Sequence, residues 1–189
     1  NISYAHAKNF KNLKQIALAK SEIINNITKG GSIVLNADDR FYKFHQKMAL
    51  RKKLKVYSFS INKKNTTVRL NSIKKEKSKF KIIININNQK KHFFISSNFE
   101  NNLKNLLAAI TVISIFKDIK TLNKNIFYNY QVPYGRGDIS KIKINKKNIF
   151  LIDESYNSNP LSLKSSINNF DLIDSKHNKK HLILGDMLE

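Results

Sequence analysis

A chain of 189 residues, 41% of them hydrophobic, is long enough for one or two domains with real cores. Cysteine is absent, which excludes a disulfide framework and thiolate metal sites, and no run approaches the ~20 apolar residues of a membrane span. A net charge of +22 invites a nucleic-acid reading, but 31 lysines against 4 arginines, beside 26 asparagines and 26 isoleucines, is what AT-rich codons produce, and the lysines are spread along the chain.

Residues 9 to 27 carry Leu13, Ile16, Ala17, Ile23, Ile24 and Ile27 at helical spacing and predict an amphipathic helix. Lys20 falls in the middle of that face. Two readings of it stand. Its stem can cover apolar surface while the amine reaches water. Alternatively, it is a partly buried amine with a lowered pKa, able to take up carbon dioxide as a carbamate and so to bind magnesium. Gly30-Gly31 ends the helical unit. Ser32 to Leu35 reads as a short strand with Asn36-Ala37-Asp38-Asp39 at its carboxyl end, where Asp38 or, better, Asp39 is expected to cap a helix from Arg40 to Lys53. Lys55 to Ser60 gives another strand.

Residues 61 to 97 change character. Lys79 to Ile86 and His92 to Ile95 flank Asn87-Asn88-Gln89-Lys90 and predict a hairpin, an antiparallel flap packed on a parallel sheet with no catalytic role. Asn101 to Lys117 is the second clear helix, with Leu103, Leu106, Leu107, Ile110, Ile113 and Phe116 inward. Asn102 is placed to cap it. Asn105 is inside, where asparagine is a mediocre helix former, near free N–H groups that favour polar ligands, so a ligand contact is expected of it.

A short helix is expected from Thr121 to Tyr130. Val132-Pro133-Tyr134-Gly135-Arg136-Gly137 is the densest turn signal and marks a domain boundary, with residues 1–133 before it and 134–189 after. Arg136, one of few arginines in a lysine-rich chain, suits bidentate phosphate recognition. Beyond it, Asp138 to Ile144 and Ile149 to Ile152 read as strands, the latter buried. Pro160 to Asp174 reads as a helix and His181 to Leu184 as the next strand, a βαβ unit. Between strand and helix the chain breaks into Asp153-Glu154-Ser155-Tyr156-Asn157-Ser158-Asn159. Ligands of open α/β sheets bind at that carboxyl end of the strands, so this loop is the candidate site. Asn159 before Pro160 also reads as a helix N-cap.

That loop, with Pro160, resembles the D-D-S-Y-N-A-N-P signature of the Mur ligases, with Glu154 in place of the second acid. Other elements match in order. Ala5-His6 and Ala17-Leu18-Ala19-Lys20-Ser21-Glu22-Ile23-Ile24 are similar to the family's A-H-x-x-x-F and A-K-G-E-I-F, and Asn36 to Asp39 to its N-A-D-D. Asn102 to Ala109 is similar to H-N-x-x-N-x-L-A-A, although Phe99-Glu100-Asn101 stands where the family has G-R-H. Pro133 to Gly137 looks like the P-x-G-R-G hinge, and Gly185-Asp186-Met187-Leu188-Glu189 like G-D-M-x-E-L-G.

The resemblance implies an α/β chain: the later part of a P-loop-type Mur ligase central domain with an antiparallel β flap, followed by the start of a Rossmann-like C-terminal domain. It implies an ATP-dependent ligase of the branch that joins D-alanyl-D-alanine to UDP-N-acetylmuramoyl-tripeptide through an acyl phosphate, in cell-wall precursor synthesis. ATP and magnesium are the implied cofactors. By the resemblance, His6 and a carbamylated Lys20 are the catalytic metal ligands. Asn105 meets adenine, Arg136 the phosphates and Glu154 the ribose. Ser155, Tyr156, Asn157 and Asn159 face the substrate cleft. A cytoplasmic location, a monomer when complete, no specific nucleic-acid partner and no membrane insertion are expected.

No G-x-x-x-x-G-K-[ST] phosphate loop occurs in the 189 residues, so the chain is expected to be a fragment, inactive alone, whose phosphate loop and N-terminal domain lie upstream. Rival readings are another Mur ligase, a folate polyglutamate ligase, or a noncatalytic basic nucleic-acid-binding module.

Overall fold

A computed structural model describes residues 2, 10–77, 79–96, 102–156, 158–173 and 179–186. Their packing separates two units, one of residues 17–131 with Ile2 and one of residues 132–189 with residues 10–16.

Helix α1 (Leu13–Asn26) begins after Asn12, whose side-chain oxygen accepts the Gln15 N–H at 3.0 Å and satisfies one free donor of the first turn. Ile16, Ala17, Ser21 and Ile24 are buried. Ser21 tolerates this because its hydroxyl donates to the Leu18 carbonyl at 2.6 Å. The apolar face is narrower than its sequence, since Ile23 is 64% exposed. Lys20 is an exposed residue as well. The reading of Lys20 as a partly buried residue is corrected accordingly.

Strand β1 (Ser32–Asn36) leads through Asp39 into α2 (Tyr42–Arg51), a helix shorter at both ends than the expected Arg40 to Lys53. Asp39 Oδ1 accepts the Phe41 N–H at 2.8 Å, so it orders the turn before the helix and does not cap the helix itself. Its other oxygen accepts the Ile2 N–H at 2.8 Å. His45, buried in α2, lies 3.0 Å from the Ala17 carbonyl. A carbonyl can only accept, so this ring nitrogen carries the proton and ties α2 to α1.

β1 pairs in parallel with β2 (Lys55–Ser60), and β2 in parallel with β3 (Val68–Glu76) through Phe59↔Val68 and Ser60↔Arg69. β4 (Lys79–Ile86) and β5 (Gln89–Ser96) continue antiparallel, giving one five-stranded sheet in the order β1-β2-β3-β4-β5. The antiparallel segment is therefore not a flap packed on the parallel strands. It extends their sheet edge to edge, because β2 hydrogen-bonds to the start of β3. Asn87 and Asn88, both at positive φ (48° and 68°), make a two-residue hairpin turn that asparagine tolerates.

Alternation decides which face each strand residue joins. Val68, Ile82, Ile84, Ile86, Phe93 and Ile95 point to one face and pack with Leu103, Leu106, Leu107 and Ile110 of α3 (Leu103–Phe116). Ile24, Ala49 and Leu54 pack with Ile33 and Val56 in a second cluster formed with α1 and α2. Helices thus accompany both faces of the parallel part. Each fully buried aliphatic or Phe side chain contributes roughly 1.5–3 kcal/mol. Phe116, expected inward, is exposed at the helix end. The expected helix from Thr121 to Tyr130 is replaced by a 3-10 turn at Ile119–Thr121 and a series of hydrogen-bonded turns. Asp118 and Asn123 accept the N–H groups of Lys120 and Asn125 at 2.9 Å, side-chain bonds that compete with a helix.

In the second unit β6 (Asp138–Ile144) and β7 (Lys147–Asp153) form an antiparallel hairpin, and α4 spans Pro160–Asp171. Ile149 to Ile152 is not the buried strand that its apolar run predicts: Phe150 is 66% exposed. A two-stranded hairpin has no second layer of its own to cover its faces. The βαβ reading is also corrected. β7 pairs antiparallel with β6, and His181 to Leu184 joins no ladder among the described residues, with Ile183 92% exposed.

Candidate functional site

Four of the described candidate residues, Arg136, Glu154, Ser155 and Tyr156, come together in the second unit, where the glycine turn meets the polar loop. The Pro133 carbonyl accepts the Arg136 N–H at 3.2 Å, and the Asp138 carboxylate accepts the Gly135 N–H at 2.6 Å. The turn is then joined to the end of β7. Gly137 N–H donates to the Asp153 carbonyl at 2.7 Å, and Tyr156 N–H to the Gly135 carbonyl at 3.1 Å.

Gly135 (φ +72°) and Gly137 (φ +90°) both sit in the left-handed region. A Cβ at Gly135 would stand 2.9 Å from the Tyr156 Cβ, and one at Gly137 3.0 Å from Glu154 Oε1. Glycine is required at both positions by the sign of φ, and at Gly135 also by the closeness of the loop, whereas the Glu154 carboxylate end beside Gly137 can move aside.

The side chains follow from that backbone. The Arg136 guanidinium carbon lies 4.4 Å from the centroid of the Tyr156 ring, within cation–π range. Glu154, Ser155 and Tyr156 are exposed beside it. The Ser155 hydroxyl and then its N–H, 2.9 Å from Asp153 Oδ1, hold the Asp153 carboxyl below the usual carboxylate range. The result is an arginine fork, a carboxylate, a hydroxyl and a phenol on one strip. An arginine fork fits a phosphate in two parallel bonds, and a carboxylate accepts from sugar hydroxyls.

Asn159 behaves as its sequence predicts for a cap. Its Oδ1 accepts the Ser162 N–H at 3.0 Å, and Ser162 Oγ accepts the Asn159 N–H at 2.9 Å, a reciprocal pair at the start of α4. His6, Asn157 and Met187 to Glu189 lie outside the described residues.

Lys20 and Asn105 belong to the first unit. Asn105 is exposed in the first turn of α3 and donates from Nδ2 to Asn102 Oδ1 at 3.3 Å. Asn102 holds the N-cap position without a side-chain bond to the helix backbone, which corrects its expected capping role. Among the described residues no three His, Asp or Glu side chains converge. An unmodified lysine amine offers no oxygen to a hard cation.

One group was undervalued in the sequence. Asp38 accepts from the Ser60 hydroxyl at 2.6 Å and the Ile61 N–H at 2.7 Å, and Ser60 Oγ accepts the Lys63 N–H at 2.6 Å. Asp38 therefore ties the loop after β2 to the end of β1. The available signal was an aspartate just past one strand with a serine ending the next.

A mixed sheet whose parallel part has helices on both faces, with polar groups gathered at strand carboxyl ends, is a frame of α/β ligand-binding proteins. Residues 1–113 match the Mur ligase middle domain, and the chain belongs to the Mur ligase family. The UDP-N-acetylmuramoyl-tripeptide–D-alanyl-D-alanine ligase of Rickettsia prowazekii (strain Madrid E) is 30% identical over 195 residues, covering 100% of this chain and 41% of that protein.

Two crystal structures share the fold. MurF from Acinetobacter baumannii gives a TM-score of 0.74 at 22% identity, covering 92% of this chain and 36% of that one. MurF ligase from Thermotoga maritima, in complex with ADP, gives 0.71 at 19% identity, covering 90% and 37%. The chain spans 39% to 41% of the length of the curated relatives it matches first.

Proposed function

We propose that the protein carrying this chain is an ATP-dependent ligase that joins D-alanyl-D-alanine to UDP-N-acetylmuramoyl-tripeptide. The observation that carries this reading is the match, along the whole chain, to relatives named for that ligation. The sequence Ser155-Tyr156-Asn157-Ser158-Asn159-Pro160 supports it, since this signature separates the branch from its rivals within the family and from folate polyglutamate ligases.

In the proposed reaction a carboxylate oxygen of the tripeptide attacks the γ-phosphorus of ATP. The bond to the β-γ bridging oxygen breaks and ADP leaves. The amine of D-alanyl-D-alanine then attacks the acyl carbon, phosphate leaves, and the amine gives up a proton, so one amide forms for each ATP consumed. Such transfer depends on positioning and on neutralising charge. The bound ADP of the Thermotoga maritima relative supports nucleotide use.

Within this reading Arg136 holds phosphate oxygens, Glu154 accepts from the ribose and Asn105 contacts adenine. Ser155, Tyr156, Asn157 and Asn159 border the acceptor site. Magnesium is part of the reading through family resemblance, with His6 and a carbamylated Lys20 as its holders. When bound it would neutralise phosphate charge. A boundary between residues 133 and 134, a cytoplasmic location and a monomeric state complete the proposal. No described helix is long and apolar enough to cross a membrane.

The test is phosphate release from ATP by the complete protein, given UDP-N-acetylmuramoyl-tripeptide with and without D-alanyl-D-alanine. Release that needs both is the expected result. Release that needs a single amino acid instead would move the protein to another branch of the family. Lys20→Ala is expected to abolish turnover and to remove a carbamate carbon signal seen with labelled carbon dioxide. Full activity in that variant would remove Lys20 from the catalytic set. The 189 residues alone, which hold no phosphate-loop motif, are expected to release none.

A further inference from the structure

We propose that Tyr156 is a positioning residue: its ring holds the Arg136 guanidinium, so that the glycine turn and the polar loop form one preassembled anion-binding element. The inference rests on the reading of Arg136 as a phosphate-binding side chain.

The backbone argument comes first. Arg136 stands between two glycines, the most conformationally free residues, and a turn so built would ordinarily be loose. Here three bonds fix it: Asp138 holds the Gly135 N–H, Gly135 O accepts from Tyr156, and Gly137 donates to Asp153. Gly135 has room for this only because it lacks a Cβ against Tyr156. The root of the Tyr156 ring is thereby pinned beside the arginine.

What remains free is the long arginine side chain, whose ordering on binding costs rotamer entropy. The ring at 4.4 Å from the guanidinium carbon restrains it. Tyr156 itself is 67% exposed, with its ring against the guanidinium and not buried in a core. A guanidinium that stacks on an aromatic ring uses its own face. Its N–H donors lie in the plane and stay available for two oxygens of a phosphate. A lysine could not keep both contacts, and this turn carries arginine in a chain with 31 lysines.

The experiment is nitrogen-15 NMR of the 189-residue chain, whose four arginines (Arg40, Arg51, Arg69 and Arg136) give four Nε–Hε signals. Arg136→Lys assigns the relevant one. Arg40, 5.2 Å from the Phe41 centroid, is a stacked reference that no variant should move. The ring current of Tyr156 should displace the Arg136 signal in the wild type and in Tyr156→Phe. In Tyr156→Leu it should return to the position of a free arginine, while the Gly137 amide signal stays in place and reports an intact turn. An unchanged Arg136 signal in Tyr156→Leu overturns the contact.

Titration of the complete protein with ATP, followed on the Arg136 signal that Arg136→Lys identifies there, supplies the second readout. The Arg136 signal should move on binding, and half-saturation should need about two- to fivefold more ATP in Tyr156→Leu, with Tyr156→Phe restoring the wild-type value. Equal half-saturation in wild type and Tyr156→Leu overturns the positioning role. No movement in the wild type removes the phosphate reading of Arg136, and the positioning role with it, whereas the ring contact is judged by the first readout alone.

Discussion

The two units are ordered by different forces. In residues 17–131 one face of a five-stranded sheet meets α3 through fully buried side chains such as Phe93, Ile82, Ile84 and Leu107, and the bulk of the order comes from burial. In residues 132–189 the hairpin is exposed along Ile149 to Leu151, and the order at the glycine turn comes from backbone hydrogen bonds and two left-handed glycines. Burial is non-directional and tolerates small shifts. Hydrogen bonds and φ signs are directional and do not. At the glycine turn it is therefore the backbone that directional bonds hold, which suits a site that must present an arginine beside the polar loop.

Substitutions can separate the two kinds of order. The largest effect is expected from Phe93→Ala. Phe93 is fully buried and meets Phe127 edge-on at 5.3 Å, and such truncations cost about 3–5 kcal/mol. Hydrogen exchange should speed up across β4, β5 and α3, while the Gly137 and Tyr156 amides keep their rates. Faster exchange at those two amides as well would mean that the units share one source of stability.

Gly135→Ala should do the reverse. Forcing a Cβ into the left-handed region costs about 1–2 kcal/mol before the 2.9 Å clash with Tyr156 is counted. The Tyr156 and Gly137 amides should lose protection and β4–β5 should not. If protection at the turn survives, the glycine requirement is refuted.

The smallest effect concerns pH. The folded Asp153 pKa is lowered from 3.8 by Ser155, so the contribution of this contact is fully present above that value and fades as pH falls through the lowered one. The Asp153 carboxyl carbon followed by NMR should titrate below the ordinary range. In Ser155→Ala, which lacks the larger contributor, it should move back toward it. Equal midpoints would assign the lowering to another cause.

Much of the first unit is legible in the sequence because its signals are periodic. The alternation of Ile82, Ile84 and Ile86 and the helical spacing of Leu103, Leu106, Leu107 and Ile110 give both the elements and the faces they bury. Periodicity misleads where nothing covers the face it predicts. Ile23, Phe116 and Phe150 fit their patterns and are exposed. Lys20 was readable either way, because a lysine stem fits an apolar stripe whether or not its amine is buried. Between Thr121 and Tyr130 the Asn123 side chain took over a backbone donor, that of Asn125, which a helix would have needed.

The candidate site divides in the same manner. The sequence alone determined that a turn with two glycines flanks one arginine, that a polar loop follows an apolar strand, and that Asn159 caps the next helix, because each depends on neighbours in the chain. Only the tertiary structure decided that the turn and the loop are one element, with Tyr156 against Arg136 and Glu154 against Gly137. The reason is register. The antiparallel pairing Asp138↔Asp153 brings residues some fifteen positions apart side by side, and hydrogen-bonded strands, not local propensity, set that pairing.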